Sequence, residues 1–229
     1  HLQPMLSLDN TYTLEELREF AGRVAKLLPS ENVEYVVEPK VDGVSICLRY
    51  ENGALLMGTT RGDGTSGDDI TANLRTIRAI PLQIDAASGA PSFLEVRGEA
   101  YMTIEGFRKL NEQRSREEQE QFANPRNATA GSLKQLDPRV VAKRPLAAVF
   151  YAIGEVRGGS KPDSQADVLR ILRSLGFPTS PHWWVCASAD EVMHRIHELE
   201  NLESHLPYQI DGAVVKVNSL DQWKRLGTT

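Results

Sequence analysis

The sequence predicts an α+β fold with antiparallel sheets, because strand-like hairpins and helices follow one another without regular strand–helix alternation. Of the 229 residues, 41% are hydrophobic, which is enough to bury a core. Asn52-Gly53, set between two apolar stretches, is a strong hairpin signal. This length fits one domain, or a main body with a small subdomain.

The first element expected is a helix that follows an extended lead-in over residues 1–10. Thr13 and Glu16 form a capping-box pattern, apolar residues recur at helical spacing after them, and Pro29 ends the helix. Strands are expected next at about 34–38, 43–50 and 54–60.

The remaining chain predicts further strands and helices in mixed order. Helices are expected at 69–76, 104–121 and 164–175, from Ser188 onward, and at the end of the chain before Gly227. Strands are expected near 80–84, 93–101, 146–153, 183–187 and 210–217. The small residues and isolated cations of 124–138 indicate tight packing, plausibly against a substrate.

The net charge of −5 argues against a free-standing, non-specific nucleic-acid binder. Local basic stretches are nevertheless present, formed by Arg61, Arg75 and Arg78, and by Arg126, Lys134, Arg139, Lys143 and Arg144. No stretch is apolar enough to span a bilayer, and the N-terminus lacks a signal-peptide layout. Cys47 and Cys186 are expected to be buried free thiols, and a cytoplasmic location fits them.

Lys40 is the residue around which the rest of the chain is organised. It lies between Glu38 and Asp42, directly before Gly43, where two strand-like runs meet. A glycine lets backbone approach a ligand closely. A lysine held near a cation or a metal-bound phosphate can lose its proton and act as a nucleophile. The alternative is an ordinary surface lysine in a turn.

Two other stretches allow two interpretations each. The glycine-rich run over 61–69 is either a flexible hairpin tip or a loop whose N–H groups cradle phosphate beside Arg61. Glu95, Arg97 and Glu99 share one face of a strand, which either meets solvent or lines a polar cleft. His194 and His197 lack a third ligand at a recognised spacing, so a metal site there is not expected.

A second lysine–aspartate–glycine unit lies in the strand expected at 210–217. Asp211 and Lys216 differ by five positions, so strand alternation predicts that they point to opposite faces. Lys216 is then expected to face a ligand, whereas Asp211 packs or bonds elsewhere.

Taken together, the motifs resemble the adenylation (nucleotidyltransferase) domain of bacterial NAD⁺-dependent DNA ligases. The ordered set is Pro-Met-Leu-Ser-Leu-Asp-Asn at 4–10, Glu-Pro-Lys-Val-Asp-Gly at 38–43, Thr-Arg-Gly-Asp-Gly-Thr-Ser-Gly-Asp-Asp-Ile-Thr at 60–71, Leu-Glu-Val-Arg-Gly-Glu at 94–99, Phe-Ala-Asn-Pro-Arg-Asn at 122–127 and Ile-Asp-Gly-Ala-Val-Val-Lys-Val-Asn at 210–218. Each motif alone is weak, but their order from one end of the chain to the other is specific.

The resemblance implies a fold and a reaction. The fold is ATP-grasp-like, with two antiparallel sheets flanking a nucleotide cleft and helices outside. The family's lysine attacks the α-phosphate of NAD⁺ and releases nicotinamide mononucleotide (NMN). The adenylyl group then passes to the 5′-phosphate of nicked double-stranded DNA, and the 3′-hydroxyl displaces AMP. Mg²⁺ is the implied metal, and the implied protein is a cytoplasmic, nucleoid-associated monomer.

The resemblance also assigns roles to individual residues. Lys40 is the implied nucleophile, assisted by Asp42 and Lys216. The implied nucleotide-binding residues are Ser7, Leu8, Glu38, Val41, Arg61, Glu99, Tyr151 and Lys216. Among these, Glu38 is expected to recognise the adenine amino group and Tyr151 to stack on the base. Arg126 and Lys134 are the implied DNA-binding residues, and Glu99 and Asp42 are the implied metal ligands, through water.

Several departures from the family pattern qualify these expectations. Lys134 stands where the family has an arginine, and a point charge does not reproduce a bidentate fork. Glu203, eight positions before Asp211, also replaces an expected arginine. The chain is expected to be one adenylation domain over 1–229, short of the last family motif. The nicotinamide-binding and DNA-binding domains are expected to be absent, so NAD⁺ turnover would be impaired.

Two alternative functions remain open at this point. An ATP-using ligase or capping-type nucleotidyltransferase shares the Lys-x-Asp-Gly motif, although the stretches at 60–71 and 122–127 argue against it. A non-catalytic module that binds a nucleotide or a DNA end would keep the fold. Intact Lys40, Asp42, Glu99 and Lys216 favour the enzyme.

Overall fold

The computed structural model of the protein describes residues 13–85 and 89–227. The strands are β1 (Tyr35–Val41), β2 (Val44–Glu51), β3 (Ala54–Thr60), β4 (Phe93–Met102), β5 (Leu146–Arg157), β6 (Trp184–Cys186) and β7 (Ile210–Val217). The helices are α1 (Leu14–Leu27), α2 (Thr71–Leu74), α3 (Ile104–Arg116), α4 (Pro125–Leu133), α5 (Pro138–Val141), α6 (Gln165–Ser174), α7 (Ala189–Leu202) and α8 (Leu220–Leu226).

The strands form two antiparallel sheets, with orders β6-β1-β7 and β3-β2-β4-β5. The predicted α+β class is confirmed. The two sheets are joined through β1 and β2, which are separated by only Asp42 and Gly43. The Lys40 motif therefore lies where one sheet passes into the other.

Helices α1 and α7 cover the outer face of the three-stranded sheet. Thr13 and Glu16 form the predicted reciprocal capping box at the start of α1. The core beneath these helices is apolar and consists of Leu17, Val24, Leu28, Tyr35, Val37, Cys186, Val192 and Val217. Side chains alternate along β1, so Val36, Glu38 and Lys40 face the other way, toward the four-stranded sheet.

The main core lies on one face of the four-stranded sheet, against α2 and α6. Tyr50 and Phe150 both pack edge-on against Phe177. Leu94 and Val96 of β4 are fully buried in the same cluster. The opposite face of β2 and β4 consequently carries the polar residues of these strands.

Three predicted elements differ in the structure. Residues 80–84 make only an isolated bridge, between Ala54 and Gln83, instead of a strand. The helix expected at 104–121 ends at Arg116. The strand expected to end at residue 153 continues to Arg157.

The segment 124–138 is largely helical, which its composition does not suggest. Asn124 caps α4 by accepting from the N–H of Asn127, and Pro125 occupies a first-turn position where no amide donor is needed. Ala128 packs in a cluster with Met102 and Leu110. Small residues of this segment thus pack tightly against the protein's own α3 and β4.

Cys47 and Cys186 are free and buried, as the sequence predicts. Burial raises the pKa of Cys186 to about 11 and that of Cys47 to about 12. Within the described residues, no helix combines the length and apolar character needed to cross a bilayer.

Candidate active site

Glu38 and Lys40 project from the inner face of β1 into a cleft between the two sheets. Pro39, between them, belongs to the other face because side chains alternate along a strand. Lys40 Nζ lies 2.5 Å from Oδ2 of Asp211 on β7, and both side chains are 40% exposed. Glu38 is only 5% exposed. The two residues therefore lie at the mouth and in the depth of the same cleft.

A β-bulge on β7 brings Asp211 and Lys216 to this one face. Pro39 pairs with Ala213 and Val41 pairs with Ile210, so β7 contains one extra residue opposite β1. Gly212 lies at this irregularity with a φ of +129°, which glycine adopts most readily. The prediction that Asp211 and Lys216 point to opposite faces is therefore wrong, because the bulge interrupts the alternation on which it rested.

Glu38 is the acceptor of a buried polar network. Its Oε1 accepts from Lys216 Nζ at 2.8 Å and from Gln165 Nε2 at 2.8 Å. Gln165 Nε2 also donates to the carbonyl oxygen of Tyr151 on the other sheet. Lys216 Nζ lies 5.3 Å from the centre of the Tyr151 ring. This network fixes a carboxylate, an ammonium group and an aromatic ring around one end of the cleft.

Glu99 projects from β4 into the cleft from the opposite wall. Its Oε2 accepts from Ser45 Oγ at 3.0 Å and from Tyr151 Oη at 3.2 Å. Burial raises the pKa of Glu99 to about 7. The two hydrogen bonds, and the positive charges of Arg126 and Lys40, act in the opposite direction but only in part.

Gly43 allows the Lys40 motif to lie directly against β4. A Cβ atom at this position would lie 2.3 Å from the carbonyl oxygen of Ala100 and 2.8 Å from Cγ of Glu99. Asp42, next to it, accepts from Arg126 Nη1 at 3.3 Å. Arg126 stands in the first turn of α4 and is largely exposed. A cation on an outer helix thus reaches the cleft beside Lys40.

The glycine-rich loop that follows β3 is closed on itself. The Asp63 carboxylate accepts from the N–H groups of Thr65 and Ser66 and from the Thr65 hydroxyl. These hydrogen bonds, with that from the Ser66 N–H the strongest, lower the pKa of Asp63 to about 2. A Cβ at Gly62 would lie 1.8 Å from the carbonyl oxygen of Ser66. The loop is ordered, and the N–H groups of 65 and 66 already have an acceptor.

Arg61 joins this loop to the cleft. Its N–H donates to the carbonyl oxygen of Ser45, whose hydroxyl donates to Glu99. The charged stripe of β4 is also internal, because the Glu95 side chain is fully buried and accepts from Arg49 and Arg97. Of the two interpretations of this stripe, the polar interior is the one observed.

The geometry thus assembles two lysine amines, four carboxylates, an aromatic ring and a guanidinium around one cleft. A model of the family described as the NAD-dependent DNA ligase adenylation domain matches residues 1–229. The chain belongs to this family.

Curated relatives of this adenylation domain are DNA ligases. The chain is 52% identical to the DNA ligases of Methylacidiphilum infernorum and of Carboxydothermus hydrogenoformans, with all of the chain covered. It is 53% identical to that of Desulforamulus reducens. The chain spans about a third of the length of these relatives, namely 33%, 34% and 34%.

Among solved structures, the adenylation domain is similar to the ligase domain from M. tuberculosis LigD. The TM-score is 0.49 at 12% identity, over 81% of this chain and 49% of that chain. A mycobacterial DNA ligase D complexed with ATP and MES gives a TM-score of 0.48 at 11% identity, over 81% of this chain and 49% of that chain.

The remaining sequence-predicted residues lie in several different places relative to the cleft. Ser7 and Leu8 lie outside the described residues. Val41 packs in an apolar cluster with Leu206 and Tyr208. Lys134 is exposed at the C-terminal end of α4, eight residues from Arg126. Glu203 is exposed in a 3₁₀ turn before β7 and is not in the cleft network.

Sequence reasoning missed two members of the site. Gln165 opens α6 far from every motif, and nothing in its neighbourhood marks it as a cleft residue. Ser45 comes two residues after Gly43 and lies between partly buried Val44 and buried Ile46, so its face was predictable although its hydrogen bond to Glu99 was not. Asp211 was singled out, but its pairing with Lys40 depends on the bulge.

Within the described residues, no cluster of three or more His, Cys, Asp or Glu side chains could hold a metal ion. Of the two carboxylates assigned to Mg²⁺, Asp42 directly precedes Gly43, and Glu99 Cγ lies 2.8 Å from where a Cβ of Gly43 would stand. Two carboxylates suit a magnesium ion that keeps several waters and binds substrate phosphate.

Proposed function

We propose that this chain is the catalytic adenylation domain of an NAD⁺-dependent DNA ligase, and that Lys40 is its nucleophile. Lys40 Nζ, as the free amine, attacks the α-phosphorus of NAD⁺. A phosphorus–nitrogen bond forms, the phosphoanhydride bond breaks, and NMN leaves with the bonding electrons. The observation that carries the proposal is the position of the Lys40 amine, which lies at the cleft mouth with carboxylates and a guanidinium around it.

The adenine base is proposed to lie in the depth of the cleft. Glu38 supplies an acceptor for the exocyclic amino group, and Tyr151 supplies a ring for stacking. This assignment is supported by the burial of Glu38 and by the bond from Gln165, which holds its carboxylate in place. Glu99 is proposed to accept from the ribose, and Arg61 to contact phosphate near the mouth.

Lys216 is proposed to bind both the base end and the α-phosphate. Its side chain is 11% exposed, and its ammonium group is held by Glu38. A fixed cation in a partly dry site stabilises the negative charge that develops on the phosphoryl oxygens. Asp211 is the nearest carboxylate acceptor for the proton that Lys40 must lose.

Asp42 and Glu99 would hold Mg²⁺ through water. When bound, the ion would neutralise phosphate charge and favour the uncharged amine of Lys40. The fit is supported by the closeness of both residues to Gly43, since Asp42 precedes it and Glu99 contacts it. Arg126 would leave Asp42 for the incoming phosphate, because the Arg126 side chain is 60% exposed and the pair is long at 3.3 Å.

DNA joining is proposed for the protein in which this domain acts. The 5′-phosphate oxygen at a nick attacks the lysyl-AMP phosphorus, and Lys40 leaves. The 3′-hydroxyl then attacks the 5′-phosphorus and AMP leaves. Arg126, beside Lys40, and Lys134, at the far end of α4, are the proposed DNA contacts. The names of the relatives support this step.

Intact-mass measurement tests the proposal. The 229-residue chain, and a longer protein carrying it in the context of its relatives, are incubated with Mg²⁺ and either NAD⁺ or ATP. We expect an acid-labile adenylyl adduct from NAD⁺ alone, absent in Lys40→Ala and retained in Lys134→Ala. An adduct from ATP alone would indicate the ATP-using alternative, and none from either nucleotide in the longer protein would indicate a binding module.

A further inference from the structure

A second concave surface lies outside the cleft, between α3 and the segment that follows α5. It is a groove of about 430 Å³. Four cations line it, namely Lys109, Arg114, Lys143 and Arg144, together with the single acid Glu117. The active-site mechanism uses none of these residues.

The charge of this groove is poorly compensated. Within the part of the chain that the structure describes, Arg114, Lys143 and Arg144 form no ion pair, whereas Lys109 is paired with Glu105. Arg114 instead stacks over the ring of Phe122, 4.5 Å from its centre.

Two guanidinium groups in the groove repel each other. Burial and the nearby charge of Arg114 both lower the pKa of Arg144, and Glu117 opposes this only in part. Arranging like charges around a concave surface costs free energy unless an anion comes between them. Arginine forks are also well suited to phosphate oxygens.

The groove belongs to a basic tract that begins at the active site. Residues 122–145 contain five cations and one acid, although the whole chain has a net charge of −5. The tract starts at Arg126, which contacts Asp42, and follows α4 for about 12 Å to Lys134. Helix α4 packs against both α3 and α5, so a single helix separates the cleft from the groove.

We propose that this groove, termed the α3–α5 groove, binds a backbone phosphate of the duplex whose nick lies at Lys40. The proposal rests on the proposed DNA ligase function. A duplex centred on the cleft extends well beyond it, and a cationic tract running outward from the cleft complements that backbone. Phosphate contacts of this kind position a duplex without reading its sequence.

The test compares the wild type with Lys143→Gln/Arg144→Gln by fluorescence anisotropy, using a labelled nicked duplex over 50–200 mM salt. Each lost phosphate contact lowers the slope of log K against log salt by about 0.9, so we expect a decrease of about 0.9 for the one phosphate in the groove. Affinity for intact duplex is expected to weaken equally, because backbone contacts do not require the nick.

The matched control is Arg23→Gln/Lys26→Gln on α1. These residues are also one arginine and one lysine, and both are exposed. They lie on α1, which covers the outer face of the three-stranded sheet and does not line the groove. The control changes net charge by the same amount, so an equal effect of both double variants would assign the loss to overall charge and overturn the proposal. Circular dichroism melting establishes that each variant is folded.

A scan of the duplex with single neutral methylphosphonates gives a second measurement. At the phosphate that occupies the groove, neutral substitution weakens wild-type binding but leaves the Lys143→Gln/Arg144→Gln variant unchanged. If every position affects both proteins alike, or if the wild type does not bind duplex DNA, the proposal is wrong. Lys40 adenylation from NAD⁺, measured on the same samples, reports the proposed function separately and is expected to be unaffected by the variant.

Discussion

The amine of Lys40 lies 2.5 Å from Oδ2 of Asp211, although the two residues are 171 positions apart in the chain. This contact depends on the bulge at Gly212, which adds one residue to β7 and turns Asp211 toward β1. The ion pair holds the proposed nucleophile at the cleft mouth, and it must open before the amine can reach phosphorus.

Replacement of Asp211 by Asn is expected to slow adenylation with little loss of stability. The pair is 40% exposed on each side, and exposed ion pairs contribute about 0–1 kcal/mol. Single-turnover labelling by NAD⁺ is expected to slow by about tenfold or more, as for loss of an acid–base group. Asp190→Asn, which breaks the exposed pair with Arg18, is the control and should label at the wild-type rate. Unchanged labelling of Asp211→Asn would contradict the assigned role.

Replacement of Lys216 by Met is expected to destabilise the fold. Lys216 and Glu38 are 11% and 6% exposed, and removal of one partner leaves a buried carboxylate uncompensated at a cost of about 3–5 kcal/mol. Guanidinium unfolding measures this loss. Lys216→Met/Glu38→Gln should recover much of the stability but none of the adenylation activity. If Lys216→Met alone is as stable as the wild type, the Glu38 carboxylate does not need Lys216 to compensate its burial.

Replacement of Gly43 by Ala is expected to displace the Lys40 motif from β4. The added Cβ would meet backbone at 2.3 Å, a contact that flexible side chains cannot relieve. We expect a loss of about 1–3 kcal/mol in the free energy of unfolding, as for other overpacked sites. Gly22→Ala, in α1 with no atom within 4 Å of the new Cβ, should be neutral or slightly stabilising. Equal effects of the two substitutions on the free energy of unfolding would show that the chain can accommodate a Cβ atom at position 43.

The stability of the protein is expected to fall as pH rises from about 4.5 to about 7. Burial raises the pKa of Glu99 from 4.5 to about 7, so between these values the folded state binds a proton that the unfolded state has released. By linkage, the Glu99 contribution is fully present below pH 4.5 and is lost as pH passes 7, a change of roughly 3 kcal/mol.

Unfolding titrations at pH 4.5, 6 and 7.5 measure this dependence. Glu99→Gln cannot ionise, so its stability relative to the wild type should increase steadily across the three values. A difference that stays constant with pH would mean that Glu99 ionises at an ordinary pKa in the folded protein.

The sequence was sufficient to predict elements whose signals are local. The capping box at Thr13 and Glu16 and the hairpin at Asn52-Gly53 depend on neighbouring residues, and both are observed. The sequence was insufficient where contacts between distant segments determine the direction of a side chain. The bulge that reorients Asp211 requires β1 beside it, and Gln165 reaches the cleft only because α6 packs on β5. Ordered motifs pointed to most residues of the candidate site, but the geometry that brings these residues together depends on pairing between distant strands.

The amide of Gln165 has a consequence for how a ligand enters. Its one nitrogen bridges Glu38 on the first sheet and the Tyr151 carbonyl on the second, at 2.8 Å each, in a residue that is 2% exposed. If the two sheets separated at that point, the buried amide of Gln165 would lose a hydrogen-bond acceptor. Any widening must therefore pivot about this amide, so that the gap beside Lys40 and Arg126 swings open while the proposed base end keeps a constant width.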